Sequence, residues 1–165
     1  MKFSELLTTR KGKAGEDVAR AYMEKMGRAV YGRDQDSPHP IDFIVVNPVD
    51  GRVTLVDVKT YPRLYSAERT GIDAEDWRKY QLLAERSGNL VYLLFVDVFE
   101  RTIYGAFLND LSDDLSDGRK VYFPLSSLRP LHRLTPAEAS NLSPVQCETC
   151  YLLVDPYFSG RQTHN

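Results

Sequence analysis

The chain has 165 residues, 42% of them hydrophobic and 27% charged, values that suit one globular domain with a proper core and exclude disordered, collagen-like and coiled-coil readings. Its longest apolar run, Leu90 to Val96, is seven residues, far short of the roughly 20 that a membrane-spanning helix needs. The formal net charge is −2, but the 97–117 segment alone carries −5, so the remainder is mildly basic and a nucleic-acid partner stays open.

The N-terminal MKFSELLTTRKGK lacks the apolar stretch of a secretory signal, and Cys147 and Cys150 are too few for a disulfide scaffold. No membrane association and a cytoplasmic location are expected. From Lys13 to Met26, Val18, Ala19, Tyr22, Met23 and Met26 recur at helical spacing, and Gly27 stands where a helix would stop. Ile41 to Asn47 and Val53 to Lys59 are β-branched runs joined by Pro48-Val49-Asp50-Gly51, a tight-turn sequence that predicts a hairpin. A second helix is predicted over Asp73 to Ser87, with Trp77, Tyr80, Leu83 and Ala84 on one side and Gly88 closing it. Leu90 to Val96 reads as a buried strand and Thr102 to Leu108 as its antiparallel neighbour.

Beyond Leu108 the pattern weakens into an acidic loop, a short strand-like segment at Val121 to Leu125 and a proline-punctuated tail. Thr135-Pro136-Ala137-Glu138 has the N-cap, first-turn proline and third-position glutamate of a helix start. The expected organisation is a core over 1–108 and an accessory segment over 109–165 packed on the same domain.

Chemistry concentrates on the second strand of the predicted hairpin. Alternation puts Val53, Leu55, Asp57 and Lys59 on one face, so the strand ends with a carboxylate and an ammonium side by side, costly charges expected at the sheet's edge. Asp42 starts the preceding strand on the face of Ile44 and Val46, and antiparallel pairing lays it against Asp57. Two carboxylates beside a lysine suit a hard divalent cation such as Mg²⁺ and a phosphate or water bound next to it. Glu16, three residues before the core-facing Ala19, can point inward as an outer ligand.

Asp42, a spacing of fourteen residues and then Asp57-Val58-Lys59 resemble the signature of the PD-(D/E)XK nucleases. Gly15-Glu16 in the first helix resembles the glutamate of resolvase-like members, and Gln81 matches a position facing the active site in many of them. Ile41 departs from the proline of the family name, although Pro40 is adjacent. The resemblance covers about residues 13 to 108.

It implies an α/β fold with an αβββαβ core and a mixed sheet flanked by helices. It further implies a DNA endonuclease dependent on Mg²⁺ or Mn²⁺, most like small Holliday-junction resolvases. Asp42, Asp57 and the Val58 carbonyl would hold the metal, Lys59 would position or activate the water, Glu16 would assist metal or water, and Gln81 would orient neighbours or substrate. A catalytically silent module binding nucleic acid or a protein, and an RNase on the same scaffold, are the competing readings.

Arg10, Lys11, Lys13, Arg63, Arg69, Arg78 and Lys79 are phosphate-contact candidates around this centre. Tyr61, Tyr65 and Trp77 interleave with them as possible base-stacking groups, with core packing the expected task of Trp77. His39, between two prolines just before Asp42, either contacts substrate from the active-site rim or packs within its loop, the commoner task of such a histidine. Cys147-Glu148-Thr149-Cys150 has metal-ligand spacing, but a structural zinc needs two further ligands, and two reduced thiols are the expected outcome. Tyr122, Phe123, Leu128, Leu131, Tyr151, Leu152 and Phe158 lie outside the predicted core, so they either form a homodimer surface or complete the monomer's own core.

Overall fold

The computed structural model describes residues 7–32, 39–60 and 68–142, with side chains from residue 12 onward. Tyr61, Arg63, Tyr65, the Cys147–Cys150 pair and the apolar residues of the tail lie outside the described residues, as do the side chains of Arg10 and Lys11. No helix among the described residues is long and apolar enough to cross a membrane.

Helix α1 (Leu7–Lys25) leads into β1 (Ala29–Gly32), β2 (Phe43–Val46) and β3 (Val53–Lys59). Then come β4 (Arg69–Asp73), α2 (Ala74–Ser87), β5 (Leu90–Asp97), β6 (Thr102–Phe107), β7 (Lys120–Pro124), β8 (Arg129–Arg133) and α3 (Pro136–Leu142). A six-stranded sheet has the order β1-β2-β3-β5-β6-β8, and β4 with β7 makes a separate two-stranded ribbon. β3 and β5 run parallel, joined by the crossover through α2, while the other neighbours pair antiparallel.

The alternation read from the sequence sorts side chains between two cores. Leu55, Val91, Leu93 and Phe95 pack with Trp77 and Tyr80 of α2 and with Ile72, Val121 and Phe123 of the ribbon. Phe43, Val45, Val56, Val58, Leu94 and Val96 point the other way, onto Val18, Ala19 and Met23 of α1 and Leu142 of α3. At the β2–β3 turn, Gly51 adopts φ 70°, the left-handed value that the Asp-Gly sequence supplies without strain. α2 stops where Gly88 turns left-handed at φ 66° and donates its N–H to the Ala84 carbonyl. Thr135 and Glu138 exchange backbone-to-side-chain bonds across the start of α3, at 2.7 and 3.3 Å, as the capping pattern predicts.

Three strands went unpredicted, for local reasons. β1 is four residues long and pairs only with β2; β4 (RTGID) contains a glycine and two charges; and β8 (RPLHR) carries a proline. Each lies at a sheet edge or in the small ribbon, where tertiary pairing overrides a weak local preference. The ribbon also answers the question posed by the segment after residue 108. Val121, Phe123 and Leu128 are buried in the core on the α2 side, Trp77 and Phe123 have ring centroids 5.5 Å apart, and β8 is a strand of the main sheet. In the described part, Val121, Phe123 and Leu128 complete the monomer's own core.

α1 sits tightly on the end of β3. A Cβ added at Gly15 would come 1.7 Å from Thr60 Oγ1 and 2.9 Å from Thr60 Cβ, so only glycine permits the approach, despite its cost of about 1 kcal/mol in a helix interior. Gly15→Ala should therefore destabilise the fold by about 1–3 kcal/mol, measured by urea unfolding, with Thr60→Ala restoring part of the loss. Gly15→Ala at wild-type stability would show that the helix does not depend on this contact.

Candidate active site

The pairing of β2 with β3 creates the site. Phe43 pairs with Val56, the Asp42 N–H donates to the Val56 carbonyl at 3.0 Å, and Asp42 consequently faces Asp57 across the ladder. The Val58 N–H donates to Asp42 Oδ2 at 2.7 Å, which fixes the Asp42 carboxylate beside the backbone that separates Asp57 from Lys59. The charges are not at the sheet's edge. β3 is an interior strand, and Asp57 is only 5% exposed.

A carboxylate so placed needs donors. Lys59 Nζ lies 3.1 Å from Asp57 Oδ2, and the Tyr80 hydroxyl donates to the same oxygen at 2.8 Å. Lys59 Nζ also donates to Asp76 Oδ2 at 3.0 Å and stands 5.6 Å from the centroid of the Tyr80 ring. These two residues of α2, four apart and on its inward side, went unnoticed in the sequence. The available signal was a carboxylate beside Trp77 and one turn before Tyr80 on the apolar stripe.

Gln81, by contrast, is exposed and lines a different cleft, with Trp77, Ala84, Glu85, Gly88 and Asn89. One step along a helix is a rotation of about 100°, enough to carry it away from the face that bears Asp76 and Tyr80.

Burial dominates the electrostatics. It pushes Asp42 up to about 6, against the Val58 N–H bond and with the added repulsion of Glu16. It pushes Asp57 up to about 7, with Lys59 opposing and Asp42 reinforcing the shift. Burial would favour neutral Lys59, but the charge of Asp57 and the bonds around the ammonium outweigh it and hold the pKa above its usual value. The lysine therefore stays a cation and a donor. Glu16 is raised too, first by burial, with Asp57 adding to the shift while Lys13 and His39 oppose it. Glu16 thus lies within electrostatic reach of both Asp57 and His39, and His39 Nδ1 is buried without a hydrogen-bond partner.

The basic candidates divide. Lys13 pairs with Asp17, and Lys79 pairs with Glu75 at 2.8 Å and approaches Asp76 to 3.8 Å, which sets it beside the Lys59 cluster. Arg69 and Arg78 are exposed.

Among the described residues no three His, Cys, Asp or Glu side chains gather as a metal-binding group, so Glu16 does not join Asp42 and Asp57 in a three-carboxylate cluster. The donor set nevertheless suits a hard cation. Two opposed carboxylates, both raised by burial, would be relieved by a positive charge, and Mg²⁺ typically takes one or two carboxylates and keeps several waters.

No family model and no curated protein matches the chain. A solved structure does: Hjc, a Holliday junction resolvase from the archaeal hyperthermophile Archaeoglobus fulgidus, superposes with a TM-score of 0.54 at 14% sequence identity, covering 70% of this chain and 90% of Hjc. The likeness establishes a mixed α/β fold, a mixed central sheet flanked by helices.

The raised pKa of Asp42 sets a pH dependence for the metal-free protein. The folded chain retains a proton that the unfolded chain gives up at the ordinary value of 3.8. This stabilisation is fully present below pH 3.8 and is lost as pH rises through about 6. The loss is on the order of 2–3 kcal/mol. Asp42→Asn, which keeps an acceptor for the Val58 N–H, should flatten this fall in thermal midpoint between pH 4 and 7; an unchanged slope would contradict the burial of the Asp42 charge.

Proposed function

We propose that this chain is a divalent-metal-dependent DNA endonuclease of the PD-(D/E)XK superfamily, acting on branched DNA of the Holliday-junction type in repair, recombination or phage DNA processing. The observation that carries the reading is the buried triad: Asp42 facing Asp57 across β2–β3, with Lys59 held 3.1 Å from Asp57, on a fold shared with a junction resolvase.

Asp42, Asp57 and the Val58 carbonyl are the groups that would hold Mg²⁺ or Mn²⁺. When bound there, such an ion lowers the pKa of water and neutralises charge developing on phosphate. Lys59, whose ammonium is held beside Asp57 and Asp76, would position or activate the attacking water or donate to a phosphate oxygen. Glu16, within electrostatic reach of Asp57 and Asp42, would assist the metal or the water. Phosphates on either side would meet Lys13, Arg69, Arg78 and Lys79, together with Arg10, Lys11 and Arg63. Cutting both strands of a junction calls for two copies of a single-site chain, so a homodimer is the expected working form.

The test is incubation with linear duplex, single-stranded, flap and four-way substrates, in DNA and RNA versions, with Mg²⁺, Mn²⁺, Ca²⁺ or chelator. Cleavage should require Mg²⁺ or Mn²⁺, and Ca²⁺ should allow binding without efficient cutting because its looser coordination does not fix the water. Asp57→Asn and Lys59→Ala should each lower cleavage by about a hundredfold or more while leaving DNA affinity, which comes from distributed phosphate contacts, nearly intact. Full cutting in chelator, or a Lys59→Ala chain that cuts at the wild-type rate, would overturn the mechanism.

A further inference from the structure

Lys59 lies between two carboxylates contributed by different elements. Its Nζ is 3.1 Å from Oδ2 of Asp57, on its own strand, and 3.0 Å from Oδ2 of Asp76, in the first turn of α2. The lysine side chain is 16% exposed, so the pair of contacts is sheltered from bulk water. Of the acids at this helix start, Asp73 takes Lys120 at 2.9 Å and Glu75 takes Lys79 at 2.8 Å, while Asp76 reaches back to Lys59 on the sheet at 3.0 Å, with Lys79 at 3.8 Å from its other oxygen.

We propose that Asp76 is a positioning residue for Lys59: the second carboxylate that keeps the ammonium at the reaction centre when Asp57 is engaged by a cation. The kinetic consequence rests on the nuclease reading given above, whereas the tether itself does not. A lysine is a point charge on a flexible four-carbon stem. Were Asp57 its only anchor, a divalent cation on that carboxylate would both occupy the acceptor and repel the ammonium, releasing Lys59 to other rotamers. Asp76 belongs to a helix and is not among the groups that would hold the cation. Its carboxylate therefore remains available to accept from Lys59 in either state. Tyr80, one turn further along α2, supports the arrangement from the other side by donating to Asp57 Oδ2 at 2.8 Å and flanking the lysine with its ring.

The experiment compares wild type, Asp76→Asn, Asp76→Glu and Glu75→Gln in the full chain. The first readout, taken without metal, is hydrogen exchange of the Lys59 ammonium followed by ¹⁵N NMR, with the signal assigned by its loss in Lys59→Met. Asp76→Asn should speed that exchange by about tenfold or more, whereas Glu75→Gln, which alters the same helix turn but not the tether, should leave it unchanged. The second readout is cleavage. Asp76→Asn should lower kcat by about 10- to 100-fold and change KM less than about twofold; Asp76→Glu should recover part of the loss, and Glu75→Gln should keep the wild-type kcat.

Asp76→Ser serves the same measurements if asparagine disturbs the helix start, because serine is well accepted near helix N-termini. Unchanged Lys59 exchange in Asp76→Asn, or an equal loss of kcat in Glu75→Gln, would overturn the proposal. A wild-type protein that cuts none of the substrates would remove the nuclease reading, and the exchange measurement would still decide whether Asp76 holds Lys59.

Discussion

A carboxylate in an interior strand of a sheet is the feature on which the rest of this site depends. Asp57 has almost no access to water, and an isolated charge there would cost several kcal/mol. The surroundings are arranged around that cost. Lys59 and the Tyr80 hydroxyl converge on one of its oxygens, Asp76 shares the lysine, and the facing Asp42 carboxylate accepts the Val58 N–H. Compensation remains incomplete, since both aspartates stay above their ordinary pKa. An incompletely compensated pair of carboxylates is a poor structural element and a good receptor for a cation.

The scaffold delivers these groups from four separated stretches of chain. The residue before β2 supplies Asp42, β3 supplies Asp57 and Lys59, α1 brings Glu16, and α2 brings Asp76 and Tyr80. Two close fits set the relative positions: Gly15 against Thr60, which seats α1 on the end of β3, and Trp77 against Phe123, which binds α2 to the ribbon of β4 and β7. The ribbon is assembled from segments nearly fifty residues apart, with Asp73 paired to Lys120 in its register. The Lys120–Pro124 strand is thus woven into the layer that supports α2.

The charge distribution has a similar explanation. The acidic segment that gives the chain its negative balance is partly spent on turns. Asp97 accepts the N–H groups of Phe99 and Glu100 after β5, and Asp117 accepts those of Arg119 and Lys120 together with the Tyr122 hydroxyl. Such carboxylates stabilise loops through local bonds. Net charge is consequently a weak guide to partners here, and the local groups around Lys59 and Glu16 carry more information.

Sequence by itself determined the elements whose pattern is locally dense. Alternation in Val53 to Lys59 put Asp57 and Lys59 on one face, Asp50-Gly51 fixed the turn, and the two together brought Asp42 opposite Asp57, because strand register follows from turn position and a period of two. The helix stops at Gly27 and Gly88 were legible because glycine carries its own backbone preference. Tertiary structure alone decided the rest. β1, β4 and β8 exist through pairing with distant strands, the segment after residue 108 is core because β7 meets β4, and the depth of Asp57 follows from β5 covering the far side of β3. The choice of Asp76 and Tyr80 over Gln81 as the residues of α2 that face the site depends on how that helix is rotated on the sheet. The apolar stripe of Trp77 and Tyr80 indicates which side of α2 faces the sheet, but that Asp76 on this side meets Lys59 depends on how the packing of Trp77 against Phe123 seats the helix.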